Sequence, residues 1–167
     1  MLQSLIYSKH LKQVHQSVAV LLLLGSAFVA VADEALIRTQ ADLQNYLDNF
    51  NNHRYAEQIA YYAPDVAYAV GDLQLTSPQA IADFYSDFHQ YVREHVEIAA
   101  FAKTGDTVAV VMPTVFEAFR DYDKHGLAFP AGSRREIVSF IFYELKDGKI
   151  HRIRVARYNG SADEFQH

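Results

Sequence analysis

Two periodicities divide the chain. In "TQADLQNYLDNFNN", Leu43, Tyr46, Leu47 and Phe50 fall at i, i+3, i+4 and i+7, which is one face of an α-helix. Thr39 is placed to cap that helix, with Asp42 three residues on. A second, shorter helix is predicted over Tyr55 to Tyr62, ended by Pro64. "PDVAYAVGD" reads as a short strand closed by Gly71-Asp72, and "GDLQL" as a turn. The third helix has the clearest pattern in the chain: Ser77 caps it and Pro78 suits its first turn. Ile81, Phe84, Tyr85, Phe88, Tyr91 and Val92 then form one apolar stripe.

From Glu94 onward the period changes from that of a helix to two. "HVEIAAFAK" and "TVAVVMPTVFEAF" are separated by a Thr-Gly-Asp turn. A loop rich in Asp, Gly and Pro spans Arg120 to Gly132. "RREIVSFIFYEL" and "KIHRIRVARY" follow, joined by a tight Lys-Asp-Gly turn. Three N-terminal helices followed by long antiparallel strands predict an α+β domain, with the helices packed on one face of a curved, mainly antiparallel sheet.

Composition changes this picture at the N-terminus. Lys9, His10 and Lys12 precede an uncharged apolar run from Val18 to Ala32, too short to cross roughly 30 Å of hydrocarbon as a helix. The run ends in Ala30-Val31-Ala32, the small-x-small pattern that signal peptidase reads. Residues 1–32 are therefore expected to be a signal peptide, with an uncleaved amphipathic or membrane anchor or a core helix as the alternatives, and 33–167 one exported domain with its core at about 36–159. That places the protein in the periplasm or outside the cell. Beyond the leader the chain carries 13 Lys+Arg against 20 Asp+Glu, a formal −7, which argues against nucleic acid or anionic lipid as partner. With no Cys, disulfides, thiolate metal sites and a Cys nucleophile are excluded. The histidines have no zinc spacing, and neither a metal nor a cofactor is expected.

The order of elements carries a resemblance. A helix, a helix ending in "YYAPD", a short strand, a capped helix with "FYSDFH" and a meander closed by "DGKIHRIRVARY" resemble the SnoaL-like branch of the nuclear transport factor 2-like superfamily. The resemblance implies a cone-shaped half-barrel with its site in the mouth of the cone, and a homodimer. It also implies isomerase, cyclase, dehydratase or epoxide-hydrolase chemistry, or a pure binding role. Spacing to the ketosteroid isomerases of this fold puts Tyr46 at their first-helix tyrosine. Their base position falls on about Val70 and their late-strand acid near Phe140 or Ile141, none of which moves a proton. The cyclases' histidine–aspartate pair finds only Asp147, in a turn, and the epoxide hydrolases' two aspartates are missing.

Other residues must then carry any chemistry. Alternation puts Glu117 on one side with Val111, Val115 and Phe119, and Glu136 with Val138, Phe140 and Phe142. A carboxylate on an apolar side gains a raised pKa and serves as acid or base; in water at a strand end it only pairs with a cation. His89, at the edge of the third helix's stripe, is a candidate general base or a core histidine with a satisfied hydrogen bond. Tyr46 is assigned as donor to an oxyanion, with His89 or Glu117 moving the proton. Tyr62, Tyr68, Tyr85, Phe88 and Phe119 are expected to line a pocket for a small apolar or aromatic molecule; a filled core is the alternative. In "KIHRIRVARY", Arg152 and Arg154 share a side with Ile150 and Ala156, and His151 and Arg157 with Ile153 and Val155. The cations are thus split between faces and expected to pair with Glu117, Glu136 or Glu144, with Arg154 kept for the cavity. Three readings remain: an acid–base enzyme, a non-catalytic binding module of the cell envelope, or a protein-interaction domain.

Overall fold

The computed structural model describes residues 35–160; the expected leader lies outside them. Helix α1 (Gln40–Asn51) starts as its sequence dictates. Thr39 Oγ1 accepts from Asp42 N at 3.2 Å while the Asp42 carboxylate accepts from Thr39 N at 2.8 Å. Such a cap contributes about 1 kcal/mol. Leu43, Tyr46, Leu47 and Phe50 are the buried face, as the periodicity predicts. Helix α2 (Tyr55–Ile59) is shorter than expected, because Tyr62 and Pro64 belong to strand β1 (Tyr62–Val70). Pro64 has no N–H to give to a ladder, and the pairing of β1 is irregular between Tyr62 and Ala67.

Strand β2 (Leu73–Leu75) forms a hairpin with β1 where only a turn was expected. Ser77 caps helix α3 (Pro78–Phe88), its Oγ accepting from Ala80 N at 3.2 Å. The helix stops at Phe88, so Tyr91 and Val92 leave the predicted stripe. Val92 instead opens β3 (Val92–Val96), followed by β4 (Ala100–Thr104) and the long β5 (Thr107–Ala118). The Arg120–Gly132 loop contains its own small ribbon, β6 (Tyr122–Lys124) and β7 (Leu127–Phe129), turning at His125-Gly126 with both residues at positive φ. Strands β8 (Arg134–Lys146) and β9 (Lys149–Tyr158) complete the chain, joined by the expected tight turn at Asp147-Gly148.

The main sheet has the order β2-β1-β9-β8-β5-β3, with β4 also paired to β5. Only the β1–β9 pairing is parallel among these ladders. The sheet curls into the expected cone-like half-barrel. Its inner face carries Val108, Val110 and Met112 of β5 and Tyr143 and Leu145 of β8, all buried with the apolar faces of α1 and α3. One bulge breaks the predicted alternation. Glu144 pairs with Arg152 but Leu145 pairs with Ile150, so His151 is the extra residue and Ile150 and Ile153 are both buried.

Gly71 fixes the small ribbon to the sheet. Asp72 N donates to His125 O at 3.1 Å, and a Cβ on Gly71 would lie 2.1 Å from that same oxygen. With φ at +54° as well, the position requires glycine. The ribbon thereby places Leu127 and Phe129 against the cone.

Candidate functional site

The inner face is not filled. A cavity of about 130 Å³ is lined by Tyr46, Tyr62, Tyr143, Ser139 and Met112 at its deep end. A second lobe of about 160 Å³ is bounded by Phe84, Phe88, Phe129, Arg135 and Arg157. The lobes share Tyr68, Tyr85, Glu94, Phe116 and Ile137 as walls. Each holds something of roughly one or two fused rings, with polar atoms from few directions.

Tyrosine hydroxyls line it in two tied pairs. Tyr46 Oη lies 2.7 Å from Tyr62 Oη, and Gln58 Nε2 donates to both, at 3.5 and 3.1 Å. Tyr68 Oη lies 3.1 Å from Tyr85 Oη. In each pair one O–H donates to the other oxygen, which leaves one O–H per pair for a ligand. Burial pushes all four phenols above the ordinary tyrosine range, so they act as donors and not as bases.

The one carboxylate shared by both lobes is Glu94. It follows from the alternation Val92-x-Glu94-x-Val96, in which both flanking valines are buried. Across the ladder it faces Phe116. Its side chain is 10% exposed, and desolvation raises its pKa, opposed by His89. His89 Nε2 stands 3.5 Å from Glu94 Oε2, and its Nδ1 lies 2.7 Å from Tyr55 Oη. Tyr55 also reaches Tyr85 O at 3.3 Å; burial, then the Glu94 charge, lifts its phenol to about 12. If Tyr55 donates to Nδ1, His89 presents Nε2–H to a carboxylate; if Tyr55 donates to Tyr85 O, Nδ1–H donates to Tyr55 and a bare Nε2 faces a protonated Glu94. A hydroxyl rotation together with a change of His89 tautomer thus matches either protonation state of Glu94.

His53 covers this pair from outside. It has φ +56° just past the end of α1, a conformation that costs a non-glycine residue about 1 kcal/mol. The strain places its ring on that of His89, centroids 4.4 Å apart and planes 17° off parallel. Desolvation, then His89, lowers its pKa.

The expected site residues divide by face. Tyr46, Tyr62, Tyr68 and Tyr85 line the cavity, Phe88 lines its outer lobe, and His89 stands behind Glu94. Glu117, Phe119 and Arg154 do not face it. In β5 the even positions point inward, so Glu117 lies on the outer face, where it pairs with Arg93 at 2.8 Å and Arg134 at 3.6 Å. Phe119 follows the end of β5 and is 51% exposed. Arg154 is outward too, 2.7 Å from Glu144, because the bulge at His151 sets the inward positions of β9 at Ile153, Val155 and Arg157. Glu136 is likewise outward and pairs with Arg134. Among the described residues, no group of three His, Asp or Glu side chains is placed to hold a metal ion.

With this geometry in view, comparison gives one decisive match: the model of a SnoaL-like domain fits residues 43–153. The chain belongs to the SnoaL-like domain family. No curated protein matches it. Among solved structures, this SnoaL-like domain resembles a candidate polyketide cyclase from Xanthomonas campestris pv. campestris, with 23% identity and a TM-score of 0.59 over 70% of this chain and 87% of that one. It also resembles a SnoaL-like polyketide cyclase from Agrobacterium tumefaciens (14% identity, TM-score 0.59, 77% and 98% covered). A third likeness is to a LEH-like epoxide hydrolase of M. tuberculosis (16% identity, TM-score 0.57, 79% and 88% covered). At these identities the likeness is one of fold.

Proposed function

We propose that this SnoaL-like domain binds a small, mainly apolar molecule in its cone and moves a proton on it, with Glu94 as the acid–base group. The observation that carries this reading is a buried carboxylate of raised pKa, backed by a histidine, in the wall shared by two apolar lobes. Desolvation makes a carboxylate a stronger base toward a C–H acid, and the free O–H of a tyrosine pair receives the oxyanion that forms. His89 is a positioning residue that orients Glu94 and follows its protonation by a change of tautomer. This is cofactor-independent chemistry of the isomerase, cyclase or dehydratase kind.

Deuterium exchange into 2-tetralone tests it, since proton removal next to a carbonyl is the common first step. The protein accelerates exchange, and Glu94→Gln lowers the enzymatic rate by about a hundredfold or more. Binding of 2-tetralone without acceleration rejects the enzyme reading. It leaves the second one, a binding module, which is favoured by the tyrosine hydroxyls being tied to one another.

A homodimer through the outer sheet face belongs to the same reading. Ala100, Ala102, Ala109, Val111, Phe140 and Phe142 form an apolar hollow there, and Phe142 is 44% exposed. Light scattering then gives twice the chain mass, and Phe142→Glu gives the monomer; a wild-type monomer refutes it.

A further inference from the structure

The arginines of the sheet sort by face. On the outer face Arg93, Arg134, Arg152 and Arg154 each have a glutamate partner: Glu117, Glu136 or Glu144. Two others point inward. Arg135 is opposite Phe116, and Arg157 is opposite Ser139, so both belong to the cavity side of the sheet and line its outer lobe. Among the described residues neither has an acidic partner within ion-pair distance.

Arg135 is held in place without being neutralised. Its guanidinium lies 4.6 Å from the centroid of the Phe129 ring, and Nη2 donates to Ala128 O at 3.3 Å. Both anchors come from the small ribbon that Gly71 docks onto the sheet. Of five guanidinium N–H groups, one is used. The sole acid in the lobe is Glu94.

We propose that Arg135 and Arg157 form an anion subsite, and that the molecule taken by the cone is an amphipathic carboxylic acid. Its ring body lies among the tyrosines and its carboxylate at the mouth. This rests on the cavity reading above and narrows it to a substrate class. Two unpaired planar cations at the rim of an apolar hollow suit a carboxylate, which a guanidinium binds through two parallel N–H···O bonds. The subsite also sets direction: a carboxylate is drawn to the arginines and repelled by an ionised Glu94, so the molecule enters with its reacting carbon toward Glu94.

The test compares two isosteres, 2-naphthoate and 2-naphthamide, by calorimetric titration of the full chain. The expected result is about tenfold tighter binding of the acid, as one charged hydrogen-bonded contact provides. Arg157→Gln and Arg135→Gln each reduce that preference several-fold, weakening the acid far more than the amide. Added NaCl narrows the preference in the wild type more than in either variant. Equal binding of acid and amide overturns the anion subsite and leaves the cavity reading standing. A preference that survives both substitutions also overturns it, because the anion then sits elsewhere. Binding of neither compound overturns the cavity reading, and the subsite with it.

Discussion

Glu94 and Glu117 sit on adjacent rungs of one ladder. Arg93 faces Glu117 and Glu94 faces Phe116, so a single step along β3 and β5 separates them. Glu117 meets two arginines in water, with 43% of its side chain exposed. Glu94 meets phenols, a phenylalanine and one histidine, with 10% exposed. The same carboxylate is therefore a surface charge on one face and a pKa-shifted acid on the other. Pairing of the first kind contributes about 0–1 kcal/mol and depends on salt. The second costs stability, because a buried carboxylate gives up its hydration. Composition does not separate the two; the parity of one strand does.

The largest break in this comparison comes from substituting each in turn. Glu94→Gln removes the enzymatic exchange into 2-tetralone, while Glu117→Gln keeps it within about twofold, as expected of a surface pair. Equal effects on both would erase the distinction. The tyrosine pair gives the next effect. Tyr46→Phe leaves Tyr62 as acceptor from Gln58 with its own O–H free, so the rate drops only about threefold to tenfold. The double change Tyr46→Phe with Tyr62→Phe removes the donor and costs about a thousandfold, well beyond the product of two such single losses. Simple multiplication of the two would show that the hydroxyls act separately.

His89 gives a smaller effect that is read from pH. The histidine opposes the burial that raises the Glu94 pKa. His89→Ala therefore moves the rising limb of the exchange rate to higher pH. The rate falls several-fold on the rising limb and changes little well above it, where Glu94 is ionised either way. A uniform loss at every pH would mean that His89 only holds the fold.

Most of the architecture was legible because it follows from local rules. The Thr39 and Ser77 caps, the α1 face and the Asp147-Gly148 turn need only near neighbours in sequence. The site was legible in part. Tyr46, Tyr62, Tyr68 and Tyr85 are aromatic wherever they face, but Glu94 was hidden by a boundary. Extending the α3 stripe to Val92 took away the first residue of the alternation that turns Glu94 inward. Glu117 and Arg154 show the complementary failure: alternation groups residues by side without saying which side is inside. For β9 the bulge at His151 also resets the pattern, and a bulge set by pairing with β8 leaves no mark in β9 alone. His53 carried no pattern, since its role comes from a positive φ that its sequence neighbours do not announce.

The central claim is the state of one carboxyl group, and it is measured without knowing a substrate. Carbon-13 NMR of protein labelled at the glutamate δ-carbons follows each carboxyl through a pH titration. One resonance is expected to titrate above the other glutamates, to disappear in Glu94→Gln and to move to still higher pH in His89→Ala. A Glu94 resonance that titrates with the surface glutamates would contradict it.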